Sequence, residues 1–232
     1  FSGRFKNGIN INTNTISKTL FLLRKKRLLG NYYFDINIKK NIPHGSGLGG
    51  SSSNAANLIN FLKYKNFLKI SDREKTKIGR KVGFDVPIFF NNKNCFLTGK
   101  DENILKLKKN LKLNLLIVYP NLICSTKKIY KTNKKISPNI KWNYQKMNSN
   151  KKLINFLIKE NNDLEHAAVK LYPKIKSLIN IISNQQGCYF SRITGSGSAC
   201  VGIFSNMKAA NLAKKRIKSK FPKFWCVASK TI

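Results

Sequence analysis

Asn14-Thr15 precedes Ile16, Leu20 and Leu23, which share one helical face, and this predicts a helix over about 15–28, broken by Gly30-Asn31. Phe34, Ile36 and Ile38 then alternate with Asp35, Asn37 and Lys39, the period-two pattern of a half-buried strand. Pro43 and a loop of glycine and serine follow, and helical spacing returns from Ser53 with Ala55, Leu58, Ile59 and Leu62. Residues 33–65 therefore predict strand, glycine-rich loop and helix. Ser71 with Glu74 three residues on is a capping box, which starts a helix that runs to about Val82 and is ended by Gly83. Asp85-Val86-Pro87-Ile88-Phe89-Phe90 and two short strands near 95–98 and 103–107 complete a first domain, residues 1–110.

Leu113 to Val118 is an apolar strand opening a second domain, residues 111–232. The Lys- and Asn-rich stretch 127–149 shows no period and reads as a loop with a short helix. Helical spacing resumes at Leu164, Ala167, Ala168 and Leu171, is interrupted by Pro173, and continues at Ile175, Leu178, Ile179 and Ile182, giving two helices or one kinked one. After Gly187 come a strand (188–193), a turn at Gly195-Ser196-Gly197, a strand (199–204), a helix (207–219) and a strand (224–228). Strand, helices, strand, strand, helix, strand is the order of a split βαβ, ferredoxin-like sandwich. The fold class is α+β with two domains and no internal repeat.

Composition adds one tension. Among 232 residues, 45 Lys+Arg face 9 Asp+Glu, a formal charge of +36. Clustered cations would mark a nucleic-acid or anionic-membrane surface. Here the lysines alternate with Asn through nearly every segment, which favours compositional drift, with a long anionic partner as the other reading. Cys95, Cys124, Cys188, Cys200 and Cys226 are odd in number and contain no C-x-x-C pair, so they read as free thiols of a reducing cytosol. No apolar run approaches about 18 residues and the start has no secretory pattern, which predicts a soluble, cytoplasmic protein. His44 and His166 have too few partners for a metal site, and no structural metal is expected.

The strongest chemical signal is Pro43-His44-Gly45-Ser46-Gly47-Leu48-Gly49-Gly50-Ser51-Ser52-Ser53, set between an alternating strand and an amphipathic helix. Glycines let the backbone approach an anion, serines add hydroxyl donors, and the following helix aims its free N–H groups at the same spot. The segment predicts a phosphate cradle. It lacks both the Gly-Lys-Ser/Thr ending of a P-loop and the spacing of a dinucleotide fingerprint. A flexible linker is the plain alternative, and its flanks argue against that.

At this loop the chain resembles the GHMP small-molecule kinases, whose second motif is Pro-x-x-x-Gly-Leu-Gly-[Gly]-Ser-Ser. Gly83-Phe84-Asp85-Val86-Pro87-Ile88-Phe89, Asn162-Asp163-Leu164-Glu165 and Ser191-Arg192-Ile193-Thr194-Gly195-Ser196-Gly197-Ser198-Ala199 are similar to further family segments, in the same order along the chain. The resemblance implies a ribosomal-protein-like amino-terminal domain and a ferredoxin-like carboxy-terminal one. It also implies ATP- and Mg²⁺-dependent phosphorylation of a hydroxyl on a methylerythritol joined to cytidine diphosphate, within non-mevalonate isoprenoid synthesis. In family terms Asp85 takes the hydroxyl proton. Pro43, Gly45 to Ser53 and Asn14 hold ATP, with the hydroxyl of Ser52 or Ser53 near the metal. Thr126, Tyr130, Gly195, Ser196 and Gly197 lie by the substrate. A lone Asp85 also reads as a turn aspartate, Asn14 as a helix cap, and Thr126 and Tyr130 as an ordinary surface turn.

The family's opening strand with Ala-Lys-x-Asn and its Tyr-His pair have no counterpart in this sequence, and Phe1 replaces an initiator Met. An incomplete amino-terminal domain, short by roughly a third, is therefore expected. Ser51 stands where glycine is usual, which requires a negative φ, and Phe84 replaces alanine, which is expected to crowd Asp85. The competing functions are another GHMP kinase, acting on homoserine or a mevalonate-type alcohol, and an inactive basic fragment that binds anions or nucleic acid. No basic stripe with interleaved aromatics supports nucleic acid. The expected partner is a small molecule, the expected assembly a monomer or weak dimer.

Overall fold

The computed structural model describes residues 1–91, 93–98, 103–107, 109–134 and 147–231. The chain forms two compact units, one of Phe1–His44 with Gly49–Asn92 and the other of Gly45–Leu48 with Lys93–Ile232.

The first unit is built on α1 (Thr15–Lys25), α2 (Gly50–Tyr64), α3 (Asp72–Val82) and a short 3-10 helix (Val86–Phe90). Their apolar faces meet in a core of Leu23, Leu29, Ala55, Ile59, Leu62, Leu68, Ile78, Val86 and Phe90. Asn14 caps α1 by accepting from the Ile16 and Ser17 N–H groups, and the Ser71–Glu74 capping box forms in both directions. Helix α2 begins at Gly50, ahead of the Ser53 start that apolar spacing suggested, because Ser51 and Ser52 continue the helix without contributing to its core stripe.

The strand expected over 34–38 does not form among the described residues. Burial does alternate there, Phe34, Ile36 and Ile38 being half-buried and their neighbours exposed. A strand also needs a ladder, and this segment has a single parallel bridge between Ser2 and Lys39, with Ser2 N–H on the Ile38 carbonyl at 3.0 Å. Phe84, expected to crowd Asp85, is 73 % exposed.

The second unit carries a four-stranded antiparallel sheet in the order β4-β5-β3-β6, from β3 (Asn114–Tyr119), β4 (Cys188–Ile193), β5 (Cys200–Phe204) and β6 (Trp225–Lys230). With α6 (Asp163–Leu171), α7 (Lys174–Ser183) and α8 (Met207–Lys220), this is the ferredoxin-like arrangement the element order predicted. Pro173 separates α6 from α7. One face of the sheet packs Leu116, Val118, Cys200 and Phe204 against Ala168, Ile175, Leu178, Ile182, Ala213 and Ile217.

Helix α4 (Thr126–Thr132) supplies the short helix expected in the 127–149 stretch, of which 135–146 lie outside the described residues. Helix α5 (Asn150–Lys159) was not foreseen, although Ser149 caps it and Leu153, Ile154 and Leu157 share a face. Arg192 on β4 ties it down by donating to the Leu157 carbonyl while its guanidinium lies 4.2 Å from the Phe190 ring centre. The hairpin β1 (Cys95–Thr98) and β2 (Asn103–Lys106) packs with this second unit rather than the first, Leu107 and Leu111 joining Leu113 and Leu153 in a small core.

Candidate functional site

The glycine-rich segment is shared between the units. In the first unit Gly49 opens α2 with φ +68°, a left-handed conformation that favours glycine. No side chain caps this helix and no acid lies in its first turn. The first N–H groups of a helix have no intrahelical partner, so the positive end of α2 is left for an anion. Ser51 sits inside the helix at negative φ, which meets the condition its replacement of glycine imposed.

Two other segments of this unit converge on that helix start. The Thr15 hydroxyl donates to the Ser51 carbonyl at 3.0 Å, which places the Asn14-capped end of α1 against the first turn of α2. A Cβ built on Gly83 would lie 4.0 Å from Ser52 Oγ, so the Gly83–Asp85 turn runs beside the serine hydroxyl. Asp85 is exposed, occupies the position before the 3-10 helix, and its side chain caps nothing. A carboxylate held on a glycine–proline turn without a structural bond is free to meet a ligand. Ser53 Oγ accepts from the Asn57 side chain at 3.3 Å, which leaves Ser52 the less engaged of the two hydroxyls.

In the second unit, Gly45–Leu48 lies against the turn that joins β4 to β5. Thr194 Oγ1 donates to the Gly47 carbonyl at 3.1 Å, and the Ala199 N–H donates to the Ser46 carbonyl at 3.1 Å. The backbones approach so closely that a Cβ on Gly47 would lie 2.1 Å from the Thr194 carbonyl oxygen, and Gly47 also has φ +78°. Only glycine meets both conditions. The same turn carries Ser196, whose hydroxyl is 2.8 Å from that of Thr126 at the start of α4.

Within this unit the structure therefore brings together Gly45, Ser46, Gly47, Leu48, Thr126, Gly195, Ser196 and Gly197. Within the first it brings together Asn14, Gly49 to Ser53 and Asp85. Pro43 is buried in the first unit. Tyr130 is 62 % exposed on α4, one turn after Thr126, with no described partner. Thr194, Asn162, Glu165 and Phe89 lie in the motifs, and nothing in the sequence assigns them a role. Their roles arise from contacts across 28 or more residues of sequence, which no local spacing reveals.

A cavity of about 700 Å³ lies elsewhere, beside the start of α6, lined by Glu160, Asp163, Glu165, His166 and Lys176 among others. Its three carboxylates make it a poor place for phosphates. Among the described residues no group of three His, Cys, Asp or Glu is arranged to hold a metal, and no helix is long and apolar enough to cross a membrane.

Residues 14–93 match the GHMP kinases N terminal domain and residues 140–223 the GHMP kinases C terminal domain. The 4-diphosphocytidyl-2-C-methyl-D-erythritol kinase of Pelagibacter ubique is 38 % identical, over 100 % of this chain and 81 % of the relative. The enzyme of the same name from Wolbachia pipientis is 32 % identical over 94 % of this chain and 74 % of its own length. Among solved structures, a 4-(cytidine 5'-diphospho)-2C-methyl-D-erythritol kinase superposes with a TM-score of 0.72 at 21 % identity, covering 98 % of this chain and 81 % of the other. A homoserine kinase from Cytophaga hutchinsonii superposes with a TM-score of 0.66 at 14 % identity, covering 100 % of this chain and 81 % of the other.

Proposed function

This chain belongs to the GHMP kinase family, and from that premise we propose that it phosphorylates the 2-hydroxyl of 4-diphosphocytidyl-2-C-methyl-D-erythritol, with ATP as donor, in isoprenoid precursor synthesis. The relatives named for that reaction support the substrate, since they are 38 % and 32 % identical to this chain over the aligned residues, whereas the homoserine kinase shares the fold at 14 %.

One observation carries the chemistry: the uncapped start of α2, with the Ser52 hydroxyl, lies beside the turn that presents an exposed Asp85. Phosphoryl transfer depends on alignment and charge stabilisation more than on covalent chemistry by the protein. The N–H groups at the start of α2 suit the donor's phosphates, and the Asp85 carboxylate suits the acceptor's hydroxyl, whose proton it takes as the oxygen attacks. Gly45 to Leu48 add backbone donors to the phosphates, and Asn14 lies by the adenine. Thr126, Tyr130 and Gly195 to Gly197 contact the cytidine-linked substrate.

The positive start of α2 attracts no cation by itself, so Mg²⁺ would come with the ATP phosphates, where a serine hydroxyl can face it. Ser52 is the better candidate to face it, and the ion would neutralise phosphate charge there. A reducing cytoplasm suits the five thiols, and a monomer or weak dimer is the proposed assembly.

The test is turnover of the purified chain with ATP, Mg²⁺ and the cytidine-linked alcohol, read by ³¹P NMR of the new phosphate monoester. Homoserine and mevalonate serve as competing acceptors. Phosphorylation of either in preference to the cytidine-linked alcohol overturns the substrate assignment, and absence of ATP turnover with every acceptor overturns the catalytic one.

A further inference from the structure

We infer that Asn162 and Glu165 are positioning residues that hold the Gly45–Leu48 loop in its anion-binding form, an inference that rests on the kinase reading above. The start of α6 grips the end of β4 from both sides. The Asn162 Oδ1 accepts from the Leu164 N–H at 3.0 Å, capping α6, while its Nδ2 donates to the Gly195 carbonyl at 2.8 Å and the Ile193 carbonyl at 3.2 Å. Glu165 Oε2 accepts from the Ile193 N–H at 2.9 Å. The residue between these anchored peptides is Thr194, whose hydroxyl holds the Gly47 carbonyl.

The consequence follows from peptide geometry. In a planar trans peptide the carbonyl and the next N–H point in opposite directions. Ala199 fixes the Ser46 carbonyl toward the turn and Thr194 fixes that of Gly47, so the N–H groups of Gly47 and Leu48 face away from it. Donors aimed before the ligand arrives cost nothing to reorganise. Without the grip of Asn162 and Glu165, Thr194 is free to turn and the two N–H groups lose their common direction.

Asn162→Asp separates this role from simple helix capping. Aspartate caps α6 as well as asparagine does but cannot donate to the Ile193 and Gly195 carbonyls. The full chain is compared with Asn162→Asp, Thr194→Val, the double variant, Glu165→Ala and Glu165→Gln. Amide exchange of a peptide spanning 45–48 is read without ligand, alongside the KM for ATP and the melting temperature.

The expected result for Asn162→Asp is faster exchange at 45–48 and an ATP KM raised about three- to tenfold, with melting lowered by several degrees because two carbonyls lose their donor. The double variant should be no worse than Thr194→Val alone, and Glu165→Gln, which keeps an acceptor, should recover most of what Glu165→Ala loses. Unchanged exchange at 45–48 overturns the grip itself. Faster exchange with an unchanged ATP KM overturns its role in nucleotide binding. A parent chain that neither binds nor turns over ATP sinks the kinase reading and this nucleotide role together, and is distinguished from failure of the grip because exchange still responds.

Discussion

The ring of Phe89 lies where a side chain on Gly49 would have to go: a Cβ there would sit 2.6 Å from the ring's far carbon. Phe89 belongs to the 3-10 helix that follows Asp85 and packs against the first unit's core, so the pair fixes the start of α2 relative to the Asp85 turn. Gly49→Ala meets two penalties, a left-handed φ costing about 1–2 kcal/mol and an overlap costing about 1–3 kcal/mol. Urea unfolding is expected to show a loss of about 2–5 kcal/mol in all. Gly50→Ala next door is the contrast for stability, since Gly50 is helical and the nearest atom to a Cβ there is 3.9 Å away. Equal losses in the two variants would show that the Gly49–Phe89 approach is not what constrains this turn.

Asp85 separates catalysis from architecture. Its side chain caps nothing and is exposed, so Asp85→Asn should leave the melting temperature within about a degree, as surface substitutions away from structural bonds do. If Asp85 takes the acceptor's proton, kcat should fall about 10²–10⁴-fold. Loss of stability together with a kcat reduced less than tenfold would return Asp85 to the role of a turn residue.

These two residues were legible in the sequence because each sits in a short motif whose neighbours dictate backbone shape. The ferredoxin-like order was legible for a similar reason: each of its strands and helices announces itself by period. Other features were not. Phe34, Ile36 and Ile38 alternate in burial as a strand would, yet a ladder depends on a second segment, and among the described residues only Ser2 offers one bond pair. The β1–β2 hairpin precedes the apolar strand that by pattern opens the second domain, while its packing partners, Leu113 and Leu153, come later in the chain. Thr194 and Gly47 are 147 residues apart, and their contact is set by the β4–β5 turn as a whole, not by either residue's local pattern.

Thiol chemistry gives a pH test of the second unit's core. Burial pushes the Cys124 thiol from near 9 up to about 11, partly offset by a bond involving Ser198, and burial does the same for Cys188. Cys200 is driven higher still. A folded pKa above the unfolded value means stability fully present below pH 9 and lost progressively as pH rises toward about 11. Cys124→Ala and Cys188→Ala should therefore lose less stability than the parent between those limits. In the same way, Cys124 and Cys200 should resist a thiol reagent at pH 8 in the folded protein and react at once in urea. Rapid labelling of Cys200 in the native state would contradict its burial between the sheet and the helices.

The charge of +36 is best tested through rates. Both proposed ligands carry a diphosphate or triphosphate, and dispersed lysines raise the local concentration of such anions over distances comparable to the screening length. Raising salt from about 0.1 M to about 1 M shortens that length from about 10 Å to about 3 Å. If the lysines steer ligand, kcat/KM should fall several-fold over this range while kcat, which starts from bound ligand, stays level. A kcat/KM flat in salt would mean that the lysines do not act on the ligands, leaving drift in composition as their origin. A steep loss accompanied by inhibition by added single-stranded RNA, relieved by salt with a large negative log–log slope, would instead point to a long anionic partner occupying the same surface.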